Sequence, residues 1–210
     1  MLLRIALVWS ALFVGVQEAP TAGDEATELL ERYCLAWDGD HRATWQRLEE
    51  DGFERIERDR PGESLFGVLD ATLRIYAPNG ADHDTRVMTG ATWITSPDQG
   101  RAHYRMCWVS APGDAEAADR RLRNTLNIAS FRVVRGTRLF AWIPRPGDVN
   151  EPVSRREYFR SGQRLAREQG LRMVTIRDHE GQVFLGYASP RDEATYLGFD
   201  WSGPEPMPRP

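Results

Sequence analysis

Lysine is absent from this 210-residue chain, and all 27 basic residues are arginine. Codon usage in a GC-rich genome explains so complete a replacement. Arginine forks that grip anions need only a few positions. Strong net charge is missing as well. The formal value of −4 excludes a general electrostatic pull toward nucleic acid or an anionic membrane surface. Internal repeats, low-complexity core segments and interdomain linkers do not occur, so the chain reads as one domain. No HExxH, Walker loop or GxGxxG is present. The stretch 62–67 (GESLFG) is one residue too long for a GxSxG nucleophile elbow. Cysteine is scarce, with only Cys34 and Cys107 and no CxxC pair.

What is present begins with an address. Arg4 precedes an uncharged apolar run from Ile5 to Val16, and Glu18, Ala19 and Pro20 then break it. A bilayer span needs about 20 apolar residues, so this shorter run reads as a secretory leader. We take 1–22 as the leader, with cleavage between 17 and 23; an uncleaved anchor is the alternative. No cysteine follows the run closely, which argues against lipidation and for a soluble periplasmic product with no stable membrane anchor after processing. The folded unit is expected over 24–201, followed by a proline-rich tail, 202–210. Two cysteines in an exported protein are expected to pair, and closing the loop from Cys34 to Cys107 contributes about 4 kcal/mol on the chain-entropy model.

Hydrophobic spacing predicts a helix over Asp24–Trp37, with Leu29, Leu30, Tyr33, Cys34 and Trp37 on its buried stripe. Asp40 caps a second helix, His41–Asp51, and the acidic-basic stretch from Glu49 to Glu63 reads as a solvated connection. The period then becomes that of strands. Ala71–Ala77, Thr85–Thr95 and Arg101–Ser110 are rich in β-formers, and the last two form a hairpin. On the third strand Arg101, His103, Arg105 and Cys107 share one face. Asp114 caps a helix within Pro112–Ile128, whose stripe includes Ala129. Two short strands, or one kinked at Gly136, follow over Phe131–Val134 and Thr137–Ile143. Ser154 caps a helix over Arg155–Gln169 that Gly170 ends, and Arg172–Arg177 with Gln182–Ala188 close a last hairpin. The sum is a single α+β domain: an antiparallel sheet with helices packed on at least one face. Trp37, Trp45, Trp93, Trp108 and Trp142 all fall on faces expected to be buried.

Residues able to do chemistry are few and scattered. Asp38-Gly39-Asp40-His41, Asp82-His83-Asp84 and Asp178-His179-Glu180 resemble fragments of metal sites. Adjacent residues point apart, and each run falls in a turn or loop, so no metal and no cofactor is expected. His103 lies about 13 Å along the strand from Cys107, too far to activate it, and no catalytic residue is assigned. The arginines offer more. Arg156, Arg160, Arg164 and Arg167 recur at three-to-four spacing and form one basic stripe, a candidate anion-binding face; a solvated face paired with nearby acids is the alternative.

The segment 31–53, ERYCLAWDGDHRATWQRLEEDGF, resembles an uncharacterised family of small exported proteobacterial proteins. In that pattern a cysteine-bearing helix is followed by a Gly-Asp step and a second helix ending in an acidic-Gly-aromatic run, here Asp51-Gly52-Phe53. The resemblance covers about a tenth of the chain. It implies periplasmic localisation and a second cysteine in a middle strand, a place Cys107 fills, and it implies no activity. The expectation is therefore a non-catalytic binding or envelope-associated accessory factor, taking an anionic ligand or an envelope protein. A small hydrolase with a site assembled from distant residues is the alternative.

Overall fold

The structure is a computed structural model and describes residues 24–56, 72–80, 84–133 and 136–192. The leader, the tail, the 62–67 segment, His83 and Trp201 lie outside these residues. The chain begins with α1 (Asp24–Leu30), a π-helical turn (Glu31–Leu35) and α2 (His41–Glu50). Four strands follow: β1 (Phe53–Ile56), β2 (Arg74–Pro78), β3 (Arg86–Ser96) and β4 (Gly100–Pro112). After α3 (Ala115–Leu126) come β5 (Phe131–Arg132), β6 (Arg138–Arg145), β7 (Val149–Pro152), α4 (Arg155–Gln169), β8 (Arg172–His179) and β9 (Gln182–Arg191). These nine strands form one sheet in the order β1-β2-β3-β4-β9-β8-β6-β5, with β7 also on β6. Every pairing is antiparallel.

Side-chain alternation splits the sheet into two faces. On one, Cys107, Val109, Val174, Ile176, Leu185 and Tyr187 pack with Leu30, Tyr33, Cys34, Leu48 and Leu122 of α1, the π turn, α2 and α3. On the other, Tyr104, Leu139, Ala141, Met173 and Ala188 pack beneath Leu165 and Ala166 of α4. Helices therefore cover both faces of a single α+β domain. The helix starts are set by local chemistry. Asp40 accepts from the amides of Arg42 and Ala43, Asp114 from Glu116 and Ala117, and Ser154 from Glu157. Gly170 ends α4 in the left-handed conformation, φ 71°.

Some expectations are corrected. The helix expected over Asp24–Trp37 is α-helical only to Leu30 and continues as the π turn. The wider turn shifts the hydrogen-bond register, and the Tyr33 carbonyl accepts from the Thr44 hydroxyl of α2 at 2.7 Å. The connection after α2 contains β1, an edge strand paired to β2, and the stretch before α4 contains β7. Trp37 and Trp93 are 40 % and 41 % exposed, because among the described residues no helix covers the parts of the surface on which they sit. Ala129 is exposed, and Ile128 takes the buried place beside it.

Cys34 and Cys107 form a disulfide, Cα to Cα 5.5 Å, with both residues buried. The bond ties the π turn to the middle of the sheet and fits an oxidising compartment. Among the described residues no helix is long and apolar enough to cross a membrane.

Candidate functional site

The helical cover of the first face stops at the turn between the π turn and α2. Asp38 and Gly39 both have positive φ, 45° and 73°. Gly39 lies directly on the sheet: a Cβ there would stand 3.1 Å from Ser189 Cβ and 3.3 Å from Arg105 Cβ. Only glycine allows both that backbone conformation and that approach.

Asp38 is the hub of the turn. Its carboxylate accepts from Arg172 Nε at 3.0 Å and Nη2 at 2.5 Å, from Tyr187 Oη at 2.5 Å and from Ser189 Oγ at 2.8 Å. Burial alone would raise the Asp38 pKa. The Arg172 fork and the Tyr187 and Ser189 hydroxyls outweigh it and hold the carboxyl below its usual range. The Asp38 carbonyl accepts from Arg191 Nη2, and the Gly39 carbonyl from Arg105 Nη1 at 3.3 Å. Three guanidinium groups thus converge on one two-residue turn. Burial, then the positive charge of Arg191, lowers the pKa of Arg105.

His41 begins α2 beneath this cluster and is fully buried. Its Nε2 lies 3.0 Å from the Met106 carbonyl, which can only accept, so Nε2 carries a proton and donates. Burial foremost, then the charge of Arg105, pushes its pKa down to about 3.

Register carries the sheet past the turn. In the row under Gly39, Ala91, Arg105 and Ser189 stand side by side on β3, β4 and β9; the next row is Trp93, His103 and Arg191. Neighbouring strands are about 4.8 Å apart, so this second row spans about 10 Å. Beyond its end β9 outruns β8, which starts only at Arg172. A cavity of about 680 Å³ opens there, lined by Arg101, His103, Ala166, Arg167, Gly170, Pro190, Arg191 and Asp192. That volume is in the range of small-molecule sites. Arg167 Nη1 donates to the Arg101 carbonyl at 3.2 Å, which fixes the end of α4 to the start of β4. Arg191 Nη1 donates to Ser189 Oγ at 2.6 Å and to the Pro190 carbonyl at 2.8 Å. Against three guanidinium groups and one imidazole, the described lining sets a single carboxylate, Asp192. Such a wall offers mainly hydrogen-bond donors and favours an anion.

The arginine stripe is only partly drawn into this site. Arg156 and Arg160 lie exposed on α4. Arg164 is occupied by the Ser161 hydroxyl at 3.3 Å and by Glu168 at 3.8 Å. Arg167 alone of the four lines the cavity. Arg121 and Arg123, on α3, pair with Glu31 and Asp119. His179 is exposed in the β8–β9 turn beside Glu180. Among the described residues no group of three or more His, Cys, Asp and Glu side chains converges to hold a metal. The shared face of Arg101, His103 and Arg105 was visible in the alternation of the third strand. Arg172 and Arg191 were not, because only the β8–β9 and β4–β9 registers bring them there. No family model, curated protein or solved structure matches this chain.

Proposed function

We propose that this protein is a non-catalytic binding module of the periplasm that takes a small anionic ligand at the end of its sheet. The observation that carries this reading is the cavity in which Arg101, His103, Arg167 and Arg191 converge from β4, α4 and β9. The Asp38 hub fixes the Arg191 guanidinium before any ligand arrives, so little side-chain freedom is lost on binding. The apolar leader and the disulfide support export. An acidic small molecule fits the cavity better than an extended acidic surface would, because the donors converge and the rest of the stripe faces solvent.

The test is native mass spectrometry of the protein recovered from periplasmic extract, followed by calorimetry with inorganic phosphate and citrate. We expect a retained anionic small molecule or measurable binding of one probe. The double variant Arg101→Gln/Arg167→Gln should weaken binding at least tenfold, since a hydrogen bond to a charged group contributes about 1.5–3 kcal/mol. A bare protein mass with no probe binding, or binding that the double variant leaves unchanged, would overturn the proposal. Chemical turnover of a retained ligand would favour a hydrolase instead.

A further inference from the structure

The same row that borders the cavity ends in an exposed indole. Trp45, Trp108 and Trp142 are 3 %, 7 % and 5 % exposed, whereas Trp93, on the stretch of β3 beyond its described pairing with β2, is 41 % exposed. It stands directly opposite His103, which is itself opposite Arg191. The Arg101 guanidinium carbon is 5.5 Å from the Trp93 ring centroid, so one cavity-lining cation rests against the indole.

We infer that the ligand is an anion carrying a planar aromatic ring, with the ring on the Trp93 indole and the anionic group against Arg101 and Arg191. This rests on the anion-binding reading above and adds the chemical class of the ligand. The geometry favours it on three counts. Trp93 is the apolar end of a row about 10 Å long whose other end is cationic, which matches a ring joined directly to a charged group. Arg101 serves both ends, touching the indole and lining the cavity. An indole exposed on a flat β-face offers a stacking surface to any planar ring without requiring a particular hydrogen-bond pattern.

The experiment compares three probes by calorimetry: phenyl phosphate, butyl phosphate and inorganic phosphate. The wild type should bind phenyl phosphate about five- to tenfold more tightly than butyl phosphate, the range expected of one aromatic contact. Trp93→Leu should abolish that preference while binding inorganic phosphate as the wild type does, and Trp93→Phe should retain part of it. Because Trp93 is exposed, these variants leave the core intact, and equal inorganic-phosphate affinity verifies their fold. Equal affinity of the wild type for phenyl and butyl phosphate, or a preference that survives Trp93→Leu, overturns this inference and leaves the anion site standing. Failure of all three probes to bind overturns this inference, and the anion site falls with it where citrate also fails to bind and no anion is retained.

Discussion

Replacing both members of the Cys34–Cys107 pair by alanine tests how the fold is held. Both sites are buried, so alanine introduces no unsatisfied polar group. The two cysteines are 73 residues apart. A cross-link closing a loop of that size removes about 15 cal/mol/K from the unfolded chain, or about 4 kcal/mol at 25 °C. A domain of this size loses about 2–4 °C in midpoint per kcal/mol, so the variant should melt about 8–16 °C lower. The loss should act largely through the unfolded state. The folded variant should therefore keep its far-ultraviolet circular dichroism and any probe affinity, since neither cysteine lines the cavity. Calorimetric melting of the oxidised protein and the double variant, with a ligand titration on each, gives both numbers. A midpoint shift of under 2 °C would refute the reasoning, as would ready alkylation of Cys107 in the native oxidised protein.

Two further outcomes follow from the turn between the π turn and α2 and its surroundings. His41 is buried neutral with its pKa near 3 against 6.5 when unfolded, so the unfolded chain takes up its proton first as pH falls. The stability it contributes is complete above pH 6.5 and erodes toward pH 3, by about 2 kcal/mol at pH 5; urea midpoints at pH 7.5 and 5.0 should show this, and an equal difference in His41→Leu would count against it. Gly39→Ala forces an L-residue into φ 73° and sets a Cβ against two strand Cβ atoms, so it should destabilise by about 2–4 kcal/mol; a urea midpoint unchanged from the wild type would show that the turn can lift off the sheet.

Local chemistry was the legible part of this fold. Ser154 and Gly170 bracket α4 because a cap and a left-handed terminator act within a few residues of themselves. Cys107 could be placed on the helix-covered face because alternation along a strand is a local rule. What alternation cannot show is where the cover ends, and so Trp93 and Trp37 read as core. Likewise β1 and β7 are short edge strands, polar or proline-bearing, that exist because a neighbour offers them hydrogen bonds. The candidate site was the least legible. Its arginines come from β4, α4 and β9, and only cross-strand register joins them; helical spacing on α4 grouped Arg167 with three residues that face solvent.

The pairing of β4 with β9 is a seam between two ribbons of chain. On one side β1 to β4 run as a meander, and on the other β6, β8 and β9 form their own antiparallel set. Within each ribbon paired residues lie closer in sequence than across the seam, which joins residues as distant as His103 and Arg191. Closing it carries the largest single chain-closure cost among the described pairings, which slows folding. The disulfide lies wholly on the early side, linking the N-terminal helical segment to β4, and does nothing to shorten that search. Asp38 reaches from the N-terminal segment to the second ribbon, gripping Arg172, Tyr187 and Ser189, as Arg167 does from α4 to the start of β4. The cavity is lined from both ribbons, so it comes into being only when they meet, and its integrity reports on their union.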